Sequence, residues 1–334
     1  MVTVMNRLRV LKKLPGMVSV LATMMLIYVA YVSERNEIIL PTFGALCTGA
    51  WIVPENLWHY HKINLIVSLP LAATVGLLIS LLIGNMEYIA VYPSLYVGFL
   101  AAACILIFGR TQIYPCFGAM TLPILLRTTS WLYPLSVFLI AVTLVIVQRL
   151  LEMAGARAPL TQGEFPEHRQ HRRERFIYYI QTSLGLIPAL VLVAWSENHW
   201  FLLPPLFVTY ATFCKAKAAF VRYPVQTWGQ LILAAGLGNF AFWLALLANQ
   251  YVASYFAPVI VAAMAGGAVF ITIGLGRVFH RLFPPAVSLV ITPFLIQFHP
   301  LLPLSVAVTS AYLILAAWAM RTHPAYRGKD LRYL

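Results

Sequence analysis

From Ile63 to Met86 the chain carries no charged residue, and from Tyr88 to Phe108 it again carries none. Runs of this length match the roughly 20 apolar residues that an α-helix needs to cross a hydrocarbon core of roughly 30 Å. Neither run alternates polar and apolar positions as the strands of a membrane barrel do. The composition agrees: 61% of the 334 residues are hydrophobic and 10% are charged, against about half and about a quarter in a soluble domain. The expectation is an all-α polytopic membrane protein. The longest polar stretch, Glu152 to Arg175, is too short to build a core of its own. Cys47, Cys104, Cys116 and Cys214 lie in or beside apolar runs without CxxC spacing. They read as small core residues, not as disulfide partners or metal ligands.

A short motif recurs inside these runs. Pro41-Thr42-Phe43-Gly44-Ala45 returns as Pro115-Cys116-Phe117-Gly118-Ala119, and the second half carries Pro204-Pro205 and Pro284-Pro285 at the matching places. The first two open apolar runs of about sixteen residues, roughly 24 Å as helix and short of a full crossing. Proline suits the first turn of a helix, where its missing N–H would go unpaired anyway. Four short helices, each started by proline, are therefore expected at the centre.

The likeness extends along the chain. Ser33-Glu34 and Ser196-Glu197 stand 163 residues apart, as do Pro41 and Pro204. Gly109-Arg110 matches Gly276-Arg277 at 167, and Pro134-Leu135-Ser136-Val137 matches Pro303-Leu304-Ser305-Val306 at 169. A tandem duplication accounts for these offsets. The predicted organisation is a first six-segment membrane repeat over 1–151, a basic cytoplasmic linker over 152–175, a second six-segment repeat over 176–321 and a cytoplasmic tail over 322–334. The basic start at 1–13 and the apolar run behind it look like a signal peptide. The same run recurs from Phe176 to Trp195, which argues for a membrane segment instead. The segments are placed near 14–32, 38–53, 63–84, 88–108, 113–129 and 130–151, then 176–195, 200–214, 225–248, 253–275, 282–298 and 300–320.

Charge gives the direction. If all twelve segments cross, 21 of the 23 Lys and Arg residues fall on one side, leaving Arg35 and Arg127 on the other. If the four short segments dip in and return, the division becomes 14 against 9. The positive-inside rule favours about twelve crossings in a cell membrane with both termini cytoplasmic. The net charge of +13 is then orientation signal, and no nucleic-acid partner is implied. Six crossings per unit make the two repeats parallel. Three crossings separate the helices opened by Pro41 and Pro115, so each unit is itself a 3+3 inverted repeat, an internal symmetry common among transporters.

A helix start offers unpaired N–H groups and the positive end of a dipole, which attract anions. Glycine and alanine there let a ligand or a neighbouring helix approach closely. The candidate binding residues are therefore Thr42, Phe43, Gly44 and Ala45, Cys116, Phe117, Gly118 and Ala119, and Pro205, Pro285 and Ala286. Tight helix packing is the bland alternative for the same small residues. Arg110 and Arg277, standing just before proline-started helices, are candidates to draw anions inward. Lys215 and Lys217 have no basic counterpart in the first half. Pro123 and Pro293 predict kinks whose freed backbone groups a neighbour must satisfy. Trp58, Tyr60, Trp131 and Trp200 look like interfacial aromatics. His59-x-His61 and His168-x-x-His171 lack partner ligands, so neither a metal nor a cofactor is expected. No phosphate loop, nucleophile elbow, HExxH or paired carboxylates point to an enzyme.

The stretch Tyr114-Pro115-Cys116-Phe117-Gly118-Ala119-Met120-Thr121, with Phe283-Pro284-Pro285-Ala286-Val287-Ser288, resembles the His-Pro-Pro-Ala-Gly-Ala-Thr signature of the HPP integral membrane family. Pro41-Thr42-Phe43-Gly44-Ala45 is similar to that family's earlier Pro-x-x-Gly-Ala element. Tyr114 and Phe283 stand where the signature has histidine. The resemblance implies two tandem HPP-like modules. Members are linked to nitrite transport in plastids and cyanobacteria, so it also implies a small monovalent anion as substrate. The expected function is a transporter or channel for a small anion, with that anion and membrane lipids as partners and a homo-oligomer left open. One alternative is a major-facilitator-like carrier of another small solute, although Pro54 to Lys62 lacks that family's acidic–basic Gly-rich loop. Another is a non-transporting membrane subunit that binds a partner or a lipid phosphate.

Overall fold

The computed structural model describes residues 2–53, 62–84, 86–158, 172–196, 199–214, 222–279 and 281–322. Among these, eight helical spans are long and apolar enough to cross a membrane. They are formed by α1 (Val2–Val32), α3 (Lys62–Ile83), α4 (Val91–Phe108), α6 (Leu132–Met153), α7 (Arg172–Leu184) continuing as α8 (Ile187–Ser196), α10 (Pro224–Tyr251), α11 (Ala257–Val278) and α14 (Leu302–Thr322). Interleaved with them are the short helices. These are α2 (Phe43–Cys47) with a π-helical turn over Thr48–Ile52, α5 (Pro115–Leu126), α9 (Pro204–Cys214), and α12 (Pro284–Ile291) followed by α13 (Pro293–Ile296). No strand occurs among the described residues.

Burial separates the two classes. Every residue of α2, α9 and α12 is buried, and so is α5 up to Leu125. The long helices instead show large apolar side chains on the outside, such as Leu21, Leu82, Phe270 and Leu315. A lipid environment accommodates that surface, and water does not. The short helices therefore form the inside of the protein and the long ones its wall.

Hydrogen bonds at the two ends of α3 fix the path of the first half. At its start, Lys62 Nζ pairs with Glu152 Oε2 at 2.5 Å, and Asn64 Nδ2 donates to the Gly109 carbonyl at 3.1 Å. Towards its other end, Ser80 Oγ donates to Thr128 O at 2.8 Å, while Arg127 Nη2 reaches Met86 O at 3.0 Å. Gly109 precedes α5 and Thr128 follows it. So α5, about 18 Å long, carries the chain from one end of α3 to the other with the help of its extended flanks. In the second half, Gln230 of α10 holds the approach to α12, giving to Arg281 O at 2.9 Å and accepting from Phe283 N–H at 3.1 Å. Further along α10, Asn239 exchanges two hydrogen bonds with the backbone of His299, behind α13.

The two prolines expected to kink their helices are accommodated in different ways. Pro123 has no N–H to give to the carbonyl of residue 119, and Tyr133 Oη fills that place at 2.7 Å from Ala119 O. At Pro293 the helix stops instead, and a new turn, α13, begins. The run expected as one segment over 176–195 is also broken, between α7 and α8. Gly185 sits against the Tyr210 hydroxyl and the tip of Met320, with no room for a side chain. Two carbonyls at the break accept from tyrosines, Thr182 O from Tyr210 Oη at 2.6 Å beside the Gly185 N–H at 3.2 Å, and Gly185 O from Tyr312 Oη at 3.0 Å. Helix α6 runs to Met153 and α7 starts at Arg172, so both ends of the stretch expected as a linker over 152–175 are helical.

Candidate functional site at the junction of the short helices

The starts of the short helices meet around Thr42. A Cβ at Gly118, in the first turn of α5, would collide with Thr42 Cγ2 and stand 3.5 Å from Cβ of Pro204, the first residue of α9. Just past Thr42, α2 crosses α12 at its own glycine. A Cβ at Gly44 would lie 2.6 Å from the Val287 carbonyl oxygen. Beside that crossing, Ala45 N–H donates to Ser288 Oγ at 2.8 Å. Thr42 is fully buried, and its hydroxyl has no hydrogen-bond partner among the described residues. Phe117 closes the α5 side, stacked on Phe99 of α4 with ring centroids 4.4 Å apart.

The structure thus brings Thr42, Gly44, Ala45 and Gly118 together, but not as open helix starts. Tight local turns take the N–H groups expected to be unpaired. Phe43 N–H bonds Leu40 O at 2.8 Å, Cys116 N–H bonds Ile113 O at 3.0 Å, and Phe117 N–H bonds Tyr114 O at 2.9 Å. Ala286 N–H likewise bonds Phe283 O at 3.0 Å. Such three-residue turns are common at helix ends. Protein atoms fill both glycine notches. Pro41 does not start α2; it stands ahead of Thr42, and the helix begins at Phe43. Phe43, Cys116, Ala119, Pro205, Pro285 and Ala286 are all buried in their helices.

Arg110 lies elsewhere in character. It closes α4 in the left-handed conformation, φ 49°, with its own N–H on Ile107 O and Thr111 N–H on Leu106 O. Its side chain is exposed. That geometry is a helix C-terminal cap, where a cation also complements the dipole. Arg277 belongs to α11, but its side chain lies outside the described residues. So do Lys215, Lys217, Trp58, Tyr60, His59, His61, His168, His171, the side chain of Trp200 and the 323–334 part of the tail.

A second cluster had little signature in the sequence. Arg175, in the first turns of α7, is 6% exposed, and its Nη2 reaches Thr111 O, between α4 and α5, at 3.4 Å. No described carboxylate lies within ion-pair distance of it. Tyr114, the residue capping α5, and Tyr179 are each buried and close enough to Arg175 to interact with it electrostatically. A phenol is a hydrogen-bond donor at neutral pH. The one sequence signal for Arg175 is its position as the last basic residue before the apolar run at Phe176.

No family model matches the chain, and neither the curated proteins nor the solved structures contain a match. Among the described residues no group of three or more His, Cys, Asp or Glu could hold a metal ion.

Proposed function

We propose that the chain is an integral membrane transporter or channel for a small anion, built from two parallel six-segment HPP-like units with both termini cytoplasmic. One observation carries this reading: half-length helices, fully buried inside a wall of long apolar helices, converge on an unpartnered buried hydroxyl at Thr42. Helices too short to span and meeting inside the bundle are the arrangement with which transporters build a central site. The tight packing there corresponds to a closed form. The duplication is supported by a repeated contact, since Gly76 of α3 packs on the Met120 carbonyl of α5 and Gly238 of α10 packs on the Val290 carbonyl of α12. Nitrite is the first substrate to test, because of the family resemblance.

The test is flux into liposomes holding the purified protein. Uptake of nitrite, nitrate or formate above protein-free liposomes is expected, and correctly inserted protein that moves none of them overturns the reading. A second reading, a lipid-binding membrane subunit, draws on a groove of about 450 Å³ between α10 and α14, lined by Pro224, Trp228, Ala311, Ile314, Leu315 and Trp318. An absence of flux together with a co-purifying phospholipid favours it.

A further inference from the structure

The buried arginine stands out because the described residues around it offer so little to balance its charge. A guanidinium out of water needs an anion or a full set of acceptors. Arg175 has one carbonyl contact at the long distance of 3.4 Å and no described carboxylate within reach. The two phenols beside it, Tyr114 and Tyr179, are each 5% exposed and have no hydrogen-bond partner among the described residues. All three groups are donors at neutral pH, and they share one side of the bundle, the end at which α4 stops and α5 begins. Tyr114 is the residue that caps α5, so the positive end of that helix faces the same place. Phe117, which approaches both Tyr114 and Tyr179 with ring centroids 6.4 and 6.1 Å away, closes the inner side with an apolar ring.

We propose that Arg175, Tyr114 and Tyr179 form a binding site for a small planar oxyanion, one presenting two oxygens to the guanidinium fork as carboxylate, nitrite or nitrate do. The guanidinium matches that shape with paired N–H···O bonds, and the phenols donate to the same or the third oxygen. Burial of all three groups favours a small ion over a large one, and a compact spherical anion gains nothing from the fork. The site lies one turn from Gly118, so under the transport reading, on which this inference rests, it is the last stop before the junction.

Sodium formate titrated against sodium chloride at constant ionic strength tests the site on the purified full-length protein. Occupancy is read as the rise in thermal stability, which follows the concentration of a ligand that binds only the folded state. Formate is expected to raise the wild-type midpoint saturably and chloride is not. Arg175→Lys, which keeps the charge and loses the fork, is expected to need about tenfold more formate. Tyr114→Phe and Tyr179→Phe remove only a hydroxyl and are each expected to need several-fold more. Arg175→Gln is expected to abolish the response. Wild-type protein that responds equally to both salts overturns the site. So does an Arg175→Gln variant that is less stable yet keeps the wild-type formate midpoint, which is the behaviour of a purely structural arginine. If Arg175→Gln does not fold, the two phenylalanine variants decide, and unchanged midpoints in both overturn the site. Flux on the same samples separates the two ideas. Saturable formate binding without flux retains this site and discards the transporter, whereas flux indifferent to Arg175→Gln does the reverse.

Discussion

The Tyr133 hydroxyl donates to the Ala119 carbonyl at 2.7 Å, the one α5 carbonyl that Pro123 leaves without its helical partner. The bond ties α6 to the short helix at the position where that helix is weakest. Its removal leaves a buried acceptor with no water to turn to. Such a loss costs about 1–3 kcal/mol, and interhelical hydrogen bonds in membranes fall at the lower part of that range. Tyr133→Phe is therefore expected to destabilise by about 1–2 kcal/mol in thermal unfolding. Pro123→Ala supplies an N–H that can take over Ala119 O, so the phenylalanine should cost clearly less in that background. Equal losses in both backgrounds would show that the tyrosine acts through packing alone.

A similar logic applies where α2 meets α12. Ser288 Oγ is the acceptor for Ala45 N–H, which no helical carbonyl serves. Thr121 Oγ1, by contrast, only adds a second donor to Phe117 O, four residues earlier in its own helix. Ser288→Ala strands a buried N–H and is expected to cost about 1–3 kcal/mol. Thr121→Val strands nothing and is expected to cost well under about 1 kcal/mol. Thermal melts of the two purified variants make the comparison, and a larger loss for Thr121→Val would refute it.

The short helices were legible because their signals are local. Proline at 115, 204 and 284 sets the backbone for a first helical turn wherever it occurs, and apolar length separates an 11-residue α9 from a 28-residue α10. Side-chain direction is not local, and there the sequence misleads. Gly109-Arg110 before a proline-started helix looks like a charge aimed at that helix, yet the cap that ends α4 turns Arg110 outward. Arg175 is one of several arginines in a basic stretch, and its burial depends on where α7 packs against α4. Gly118 does mark a close approach, as its missing Cβ implies. What approaches is Thr42, 76 residues away in sequence.

Chain path gives a topological prediction. Met153 and Arg110 lie at the Lys62 end of α3, and Met86 and Trp131 at its Ser80 end, all four exposed. Single cysteines at these positions, with Cys47, Cys104, Cys116 and Cys214 replaced, should fall into two classes towards an impermeant thiol reagent. Positions 110 and 153 are expected to react only in inside-out vesicles, and 86 and 131 only in intact cells. Reaction of 110 and 131 from the same side would mean that α5 does not cross.

The two junction glycines predict opposite responses to repair. Gly118 is crowded by a side-chain atom, Thr42 Cγ2, whereas Gly44 is crowded by a backbone carbonyl, that of Val287, at 2.6 Å from any added Cβ. Alanine at either place overpacks the junction, at a cost of about 1–3 kcal/mol. Thr42→Ser deletes the colliding methyl and keeps the hydroxyl, and alone it loses about 1 kcal/mol for the small void. The Gly118→Ala/Thr42→Ser pair should therefore be more stable than the sum of its parts predicts, by about 1–2 kcal/mol, as expected for residues in direct contact. Truncating the Val287 side chain cannot move its carbonyl, so Gly44→Ala/Val287→Ala should show no such relief. Gly236 of α10 meets nothing within 4 Å of its missing Cβ, and its alanine should gain about 0.5–1 kcal/mol from helix propensity alone. Thermal unfolding of these variants in one detergent measures all three effects. Additive losses at Gly118 and Thr42 would mean that the helix starts do not meet there.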